Sequence, residues 1–201
     1  KAYTNETFDK LIRYAAGVLP NSRRKLRLLA LLLLAHDTGV RRGSLAIMQR
    51  QDFTFTEEGG WLLVWNTKRD RSYTSVFGAY TAGILQEWFE RLPDDPAAYL
   101  WRNDASGAKL SAGAISKAIR EACHAVDVEP LGVHGTRRKV GVDMADAGYS
   151  AFFISGILDD SVEVVLRHYM PRVSPEAIAA VKTRAYVPPT ERKLVNIKDV
   201  G

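Results

Sequence analysis

The sequence contains a single cysteine, Cys123, so no disulfide can form within the chain. Its place in the helix-like AISKAIREACHAV marks it as a small buried hydrophobe of a reducing compartment. No apolar run is long enough to cross a bilayer: the strongest, LRLLALLLLA at 26–35, contains Arg27 and falls well short of the roughly 20 apolar residues a span needs. It is expected as a buried helix. Metal-ligand spacing is missing too, since His36 and His124 sit on helical patterns and no zinc pattern forms. No metal or cofactor is therefore expected. There is no internal repeat and no low-complexity segment, and no secretory leader is expected, since no signal peptide is visible. The chain starts at Lys1 without a methionine and is expected to be a piece of something longer, residing in the cytoplasm or at the nucleoid.

What is present is the composition of one large domain: 201 residues, 46% hydrophobic and 25% charged, enough to bury a core. Lys plus Arg number 28 against 23 Asp plus Glu, a formal charge of +5. That balance favours a polyanionic partner such as nucleic acid, although many ordinary enzymes are as basic.

Periodicity divides the chain into helix, sheet, then helix again. TNETFDKLIRYAAGVLP has polar cap candidates and apolar residues at helical spacing (Phe8, Leu11, Ile12, Ala15) before Gly17 and Pro20. Asn21-Ser22 can cap a second helix from about Arg23 to His36, stopping at Gly39. RRGSLAIMQR follows as a short third. DFTFT, WLLVWNT and RSYTSVF are β-branched and aromatic, separated by EEGG and KRDR, and predict a small three-stranded antiparallel sheet. From Tyr80 the helical pattern resumes in AYTAGILQEWFERL, SAGAISKAIREACHAV, GTRRKVGVDMADAG, SAFFISGIL and SVEVVLRHYM. The fold class is α+β, mainly α. Trp61, Trp65, Trp88 and Trp101 read as core or sheet cover. The tail from Met170 is looser, with one candidate helix, SPEAIAAVKTRA.

Basic residues beside helix starts hold phosphate well, because backbone N–H groups and the helix dipole add to side-chain charge. Arg41 and Arg42 follow a glycine turn in DTGVRRGSL, and His134 and Arg137 in VHGTRRKVG are spaced to face one ligand. Taken singly, each is the pattern of a solvated basic face, Lys68 that of a hairpin turn, and Tyr169 that of a ring packed near a helix end.

Their order is more informative: TGVRRGSL, then a lysine between strands, then HGTR, then a tyrosine late in a helix. In this the chain resembles the catalytic domain of the tyrosine recombinases, the phage-integrase family, from about Thr4 to about Val173. The resemblance implies a catalytic domain over residues 1–173 and a C-terminal tail over 174–201 that can pass to a neighbouring protomer. It also implies a smaller upstream DNA-binding domain, which this chain is expected to lack.

The resemblance further implies roles. Arg41, in Thr38-Gly39-Val40-Arg41, and Arg137, in His134-Gly135-Thr136-Arg137, would bind the scissile phosphate. Tyr169 would attack it, His134 would assist the proton transfer, and Lys68 would protonate the leaving 5′ oxygen, with Arg69 and Arg71 as alternatives for the hairpin cation. Gly148 matches the glycine after the helix. Arg42, Arg69, Arg71, Arg138 and Lys139 are the expected DNA contacts.

Two positions depart from the pattern. Nine residues before Tyr169 the family has histidine or tryptophan after a glycine, whereas here Asp159-Asp160 stand. Ser44 occupies the place of a bracing glutamate. Asp160 is counted with the catalytic set and can be held protonated, pair with an arginine such as Arg137 or Arg138, or slow the enzyme. Pairing is the favoured expectation. Both aspartates can equally be caps on the helix that carries Tyr169, which Leu158, Val162, Val165 and Leu166 are expected to bury. His168 is not expected to substitute for the absent histidine, since successive helical residues point about 100° apart.

The function implied is cleavage and rejoining of double-stranded DNA through a 3′-phosphotyrosyl link, in integration or recombination of a mobile element. It would need no metal, cofactor or membrane, and would involve self-association on DNA through the tail. The competing readings are a relative limited to binding or to nicking and resealing, and a helical transcription regulator.

Overall fold

In a computed structural model, residues 1–17 and 22–170 are described. The order is α1 (Asn5–Ala16), α2 (Arg23–Thr38), α3 (Arg42–Ile47), β1 (Phe53–Thr56), β2 (Gly59–Asn66), β3 (Arg71–Gly78), α4 (Ala79–Phe89), α5 (Ala112–Ala125), α6 (Gly132–Asp146), α7 (Ala151–Leu158) and α8 (Val162–His168). The tail from residue 171, with its candidate helix, lies outside the described residues, as does Asn21.

α1 starts where Thr4 and Thr7 form a reciprocal capping box, and it buries Phe8, Leu11 and Ala15. α2 is apolar nearly all round and is accordingly buried along its middle, from Leu29 to Ala35. It is the central helix, in contact with α1, α4, α6 and β3. Ser22 precedes it but makes no side-chain cap hydrogen bond, contrary to expectation. Gly39 ends it in the left-handed conformation, φ 58°, and a Cβ there would meet Leu158 Cδ2 at 2.5 Å.

The sheet is antiparallel in the order β1-β2-β3, with Asn66 of β2 opposite Arg71 of β3. Alternation along β2 sends Leu62, Val64 and Asn66 inward and leaves Trp61, Leu63 and Trp65 exposed. Trp88 and Trp101 are fully buried. Cys123 is buried as expected, against the Tyr3 hydroxyl at 3.3 Å.

The main core spans α1 to α5 and the sheet, and a smaller one gathers Val140, Ala145, Ile154, Leu158, Val165 and Tyr169 where α6, α7 and α8 meet. Leu158 and Val165 are buried as expected, but Val162 and Leu166 are exposed. The cause is that α7 and α8 are separate helices, so only one short stripe of α8 faces inward. Among the described residues no helix is long and apolar enough to cross a membrane, and no cluster of three or more His, Cys, Asp or Glu is placed to hold a metal ion.

Candidate active site

Six residues far apart in sequence, Arg41, Lys68, His134, Arg137, Asp160 and Tyr169, line one open cavity of about 690 Å³. They come from the α2–α3 turn, the β2–β3 hairpin, the first two turns of α6, the α7–α8 turn and the end of α8. The left-handed Gly39 turns the chain so that Arg41 becomes the N-cap of α3. The Gly39 carbonyl accepts from Arg137 Nη1 at 2.7 Å, joining the two arginine-bearing segments directly.

Both arginines are anchored through one edge. Arg137, 4% exposed, also donates from Nη2 to the Leu158 carbonyl at 2.7 Å, and Arg41 Nη1 donates to the Asp159 carbonyl at 3.2 Å. Between them lies the Asp160 carboxylate. Oδ1 accepts from Arg41 Nη2 and Oδ2 from Arg137 Nη2, each at 2.5 Å. Asp160 thus pairs with Arg137 as expected, and additionally with Arg41, while no ion pair joins it to Arg138. Each guanidinium gives the carboxylate one N–H, so Asp160 bridges the two arginines.

Asp159 does something different. It is the C-cap of α7, in the left-handed conformation at φ 46°, and is 4% exposed. Its carboxylate accepts from Asn66 Nδ2, Arg71 Nη2 and, at 3.5 Å, Arg69 Nη1. Burial alone would raise its pKa, but the hydrogen bonds from Arg71 and Asn66 and the nearby positive charge outweigh burial and hold it below the usual carboxylate range. Neither aspartate caps α8. That role falls to Ser161, whose hydroxyl accepts from the Val164 N–H at 3.3 Å.

Tyr169 has its ring in the smaller core, 7% exposed, while also lining the cavity. The ring lies on Gly141 of α6, where a Cβ would come within 2.6 Å of it. His168 lines the cavity as well. Tyr169 sits at the cap with φ −120°, off the helical value, so the angular spacing of successive helix residues no longer applies.

His134 is exposed in the first turn of α6. Its pKa is lowered, first by partial burial and then by the charges of Arg137 and Arg138, which favours the neutral imidazole that can accept a proton. Tyr73 of β3 is close enough that Arg41, Arg137, Asp159 and Asp160 all act on its titration. Burial dominates and raises its pKa.

Of the expected DNA contacts, Arg42 and Arg138 line the cavity. Arg69 and Arg71 turn toward Asp159 instead, leaving Lys68 as the hairpin cation that lines it. Lys139 requires correction. It is 3% exposed, with its ammonium taken by Asn5 Oδ1 and, at 2.8 Å, Asp143 Oδ2. The reason is helical phase: Lys139 lies about 200° round α6 from Arg137. Arg120 of α5, not foreseen, lines the cavity; no sequence signal separates it from any other exposed helical arginine.

Comparison with known proteins gives the same frame. The model of the phage integrase family matches residues 3–172. Among solved structures, XerA recombinase superposes with a TM-score of 0.71 at 18% identity, over 94% of this chain and 66% of that one. XerH site-specific recombinase bound to difH substrate gives 0.76 at 15%, over 90% and 53%. A lambda integrase dimer bound to a COC′ core site gives 0.59 at 19%, over 84% and 58%. The chain therefore spans about half to two thirds of the length of these relatives. No curated protein matches. With the family model covering the whole helix–sheet–helix frame and every residue lining the cavity, the chain belongs to the phage integrase family.

Proposed function

We propose that this chain cleaves and rejoins double-stranded DNA as the catalytic domain of a site-specific recombinase of a mobile element. The observation that carries the reading is the convergence of Arg41, Arg137, Lys68, His134 and Tyr169 on one cavity. Duplex DNA is the substrate class because the cavity is ringed by further cations, Arg42, Arg120 and Arg138, and because matching structures such as that of XerH are bound to their DNA.

Arg41 and Arg137 hold the non-bridging oxygens of the phosphate and stabilise the charge that builds there during transfer. The Tyr169 oxygen attacks phosphorus and passes its proton to neutral His134. The bond from phosphorus to the 5′ oxygen breaks, and that oxygen takes a proton from Lys68. The product is a phosphodiester joining the Tyr169 oxygen to the 3′ end. Attack by a 5′-hydroxyl reverses every proton and bond movement, so no external energy source is consumed.

Asp160 occupies the arginine edge that would meet the phosphate, and this favours a second reading, that of a relative that binds DNA without cutting it. A single experiment separates the two. The chain is incubated at low ionic strength with a pool of nicked duplexes of randomised sequence, and protein–DNA adducts that survive denaturant are collected. The first reading requires adducts that Tyr169→Phe abolishes. Binding without any adduct establishes the second.

Self-association forms part of the proposal. The exposed Phe152, Phe153 and Leu166 on α7 and α8 offer an apolar surface to segment 174–201 of another copy. Deleting that segment should leave sedimentation on DNA at one copy per half-site.

A further inference from the structure

We propose that Asp159 is a positioning residue that acts through Lys68, by fixing the β2–β3 hairpin over the phosphate site. The inference rests on the role given to Lys68 above.

Lys68 belongs to an exposed four-residue turn, 67–70, whose Thr67 side chain lies beside Gly43. What fixes the turn is polar. The Asn66 side-chain carbonyl accepts from the backbone N–H groups of Lys68 and Arg69, at 3.0 and 3.2 Å, and the same side chain donates from Nδ2 to Asp159. Arg69, within the turn, and Arg71, at the start of β3, grip the same carboxylate. Asp159 therefore gathers three hairpin side chains, one of them bound to the backbone of Lys68 itself.

The other end of the arrangement is equally specific. The Asp159 backbone carbonyl accepts from Arg41 Nη1, and the next residue bridges Arg41 and Arg137. One dipeptide thus fixes the distance from the leaving-group cation to the phosphate-binding pair. A side chain is disfavoured at a left-handed position, and glycine would suit the turn better. Arg69 and Arg71 are consequently withdrawn from the DNA to hold the hairpin.

The test uses the duplex recovered by covalent capture, made with either its normal 5′ oxygen or sulfur as the bridging atom. A thiolate leaves without a proton, since thiols ionise near pH 8.5, so the sulfur substrate makes the general acid dispensable. Asp159→Gly keeps the left-handed turn and removes the carboxylate. It should slow cleavage of the oxygen substrate by about 10²-fold and leave the sulfur substrate near the unmodified rate. Asp159→Asn, which retains the acceptor oxygen for Asn66 but not the charge, should fall between. On the oxygen substrate, Lys68→Ala with Asp159→Gly should be no slower than Lys68→Ala alone.

Equal slowing of both substrates by Asp159→Gly would make Asp159 merely structural and overturn the proposal, as would no slowing of either. Lys68→Ala separates this from failure of the underlying reading. If sulfur does not rescue that variant, Lys68 is not the acid. If it rescues Lys68→Ala but not Asp159→Gly, only the positioning role is lost.

Discussion

Asp159 and Asp160 are adjacent in sequence, identical in type and both largely buried, yet they hold opposite halves of the site. Asp160 chelates two arginines on rigid, packed segments, one of them almost wholly buried. Asp159 reaches the other way, to the exposed end of the β2–β3 hairpin, where it gathers Asn66, Arg69 and Arg71 by side-chain hydrogen bonds. Backbone conformation makes the difference: Asp159 is left-handed and Asp160 stands between it and the extended N-cap Ser161, so the two side chains leave the turn in different directions. The arginine half is built to be stiff, whereas the lysine half is built to be tethered.

That contrast breaks most severely on the stiff side. Arg137→Ala should reduce adduct formation by at least about 10³-fold and cost roughly 3–5 kcal/mol of stability, because the buried Asp160 loses a partner. Chemical denaturation and adduct yield together check it. On the tethered side Lys68→Ala should cost about 10²–10⁴-fold in cleavage with an unchanged denaturation midpoint; a fall in stability would show the hairpin to be more embedded than its exposure indicates.

Asp160→Asn sharpens the comparison by removing the charge that occupies the arginine edge. DNA should bind more tightly while the Tm falls by roughly 4–10 °C. Looser binding, or collapse of cleavage in Asp160→His, would give the carboxylate a positive role in the transition state. Acid distinguishes further groups. Because the folded pKa of His134 lies below its ordinary value, cleavage should persist as the pH drops through about 6.5. It should fail only below that, when the imidazole takes a proton, and His134→Ala should lose this limb. Asp159 has a depressed folded pKa, so its stabilisation is full above about pH 3.9 and disappears as the pH falls through the lower folded value. Unfolding of Asp159→Asn should therefore differ from that of the unmodified chain at neutral pH and converge with it in strong acid.

The smallest effects separate surface from interior. Arg42→Gln should lower the salt slope of DNA binding by about 1, whereas Lys139→Gln should leave that slope unchanged.

Much of this architecture was legible in the residues. The leucine run of α2, the glycine stop at Gly39 and the alternation in β2 each express one local preference that packing then reinforces. Arg41, His134 and Arg137 each have, taken singly, the pattern of a solvated basic face, and only the order of their motifs and the resemblance it carries gathered them into one candidate site. Lys139 was not legible, since its burial depends on Asn5, far away in sequence, offering an acceptor beside its helical neighbour Asp143. The tether at Asp159 was hidden for the same reason: Asn66 looks like a turn residue, and only the three-dimensional meeting of β2 with the α7–α8 turn makes it a bridge. Arg69 and Arg71, two interchangeable basic residues on paper, are assigned by the same meeting.

The ring of Tyr169 rests on Gly141, and one to two turns earlier the same helix carries Arg137 and His134. In the proposed reaction the proton acceptor and the anion clamp would thus ride on α6 itself, and the attacking oxygen on a ring that packs against it. A shift of α6 would then be expected to carry the three together, which a site assembled from independent loops would not do.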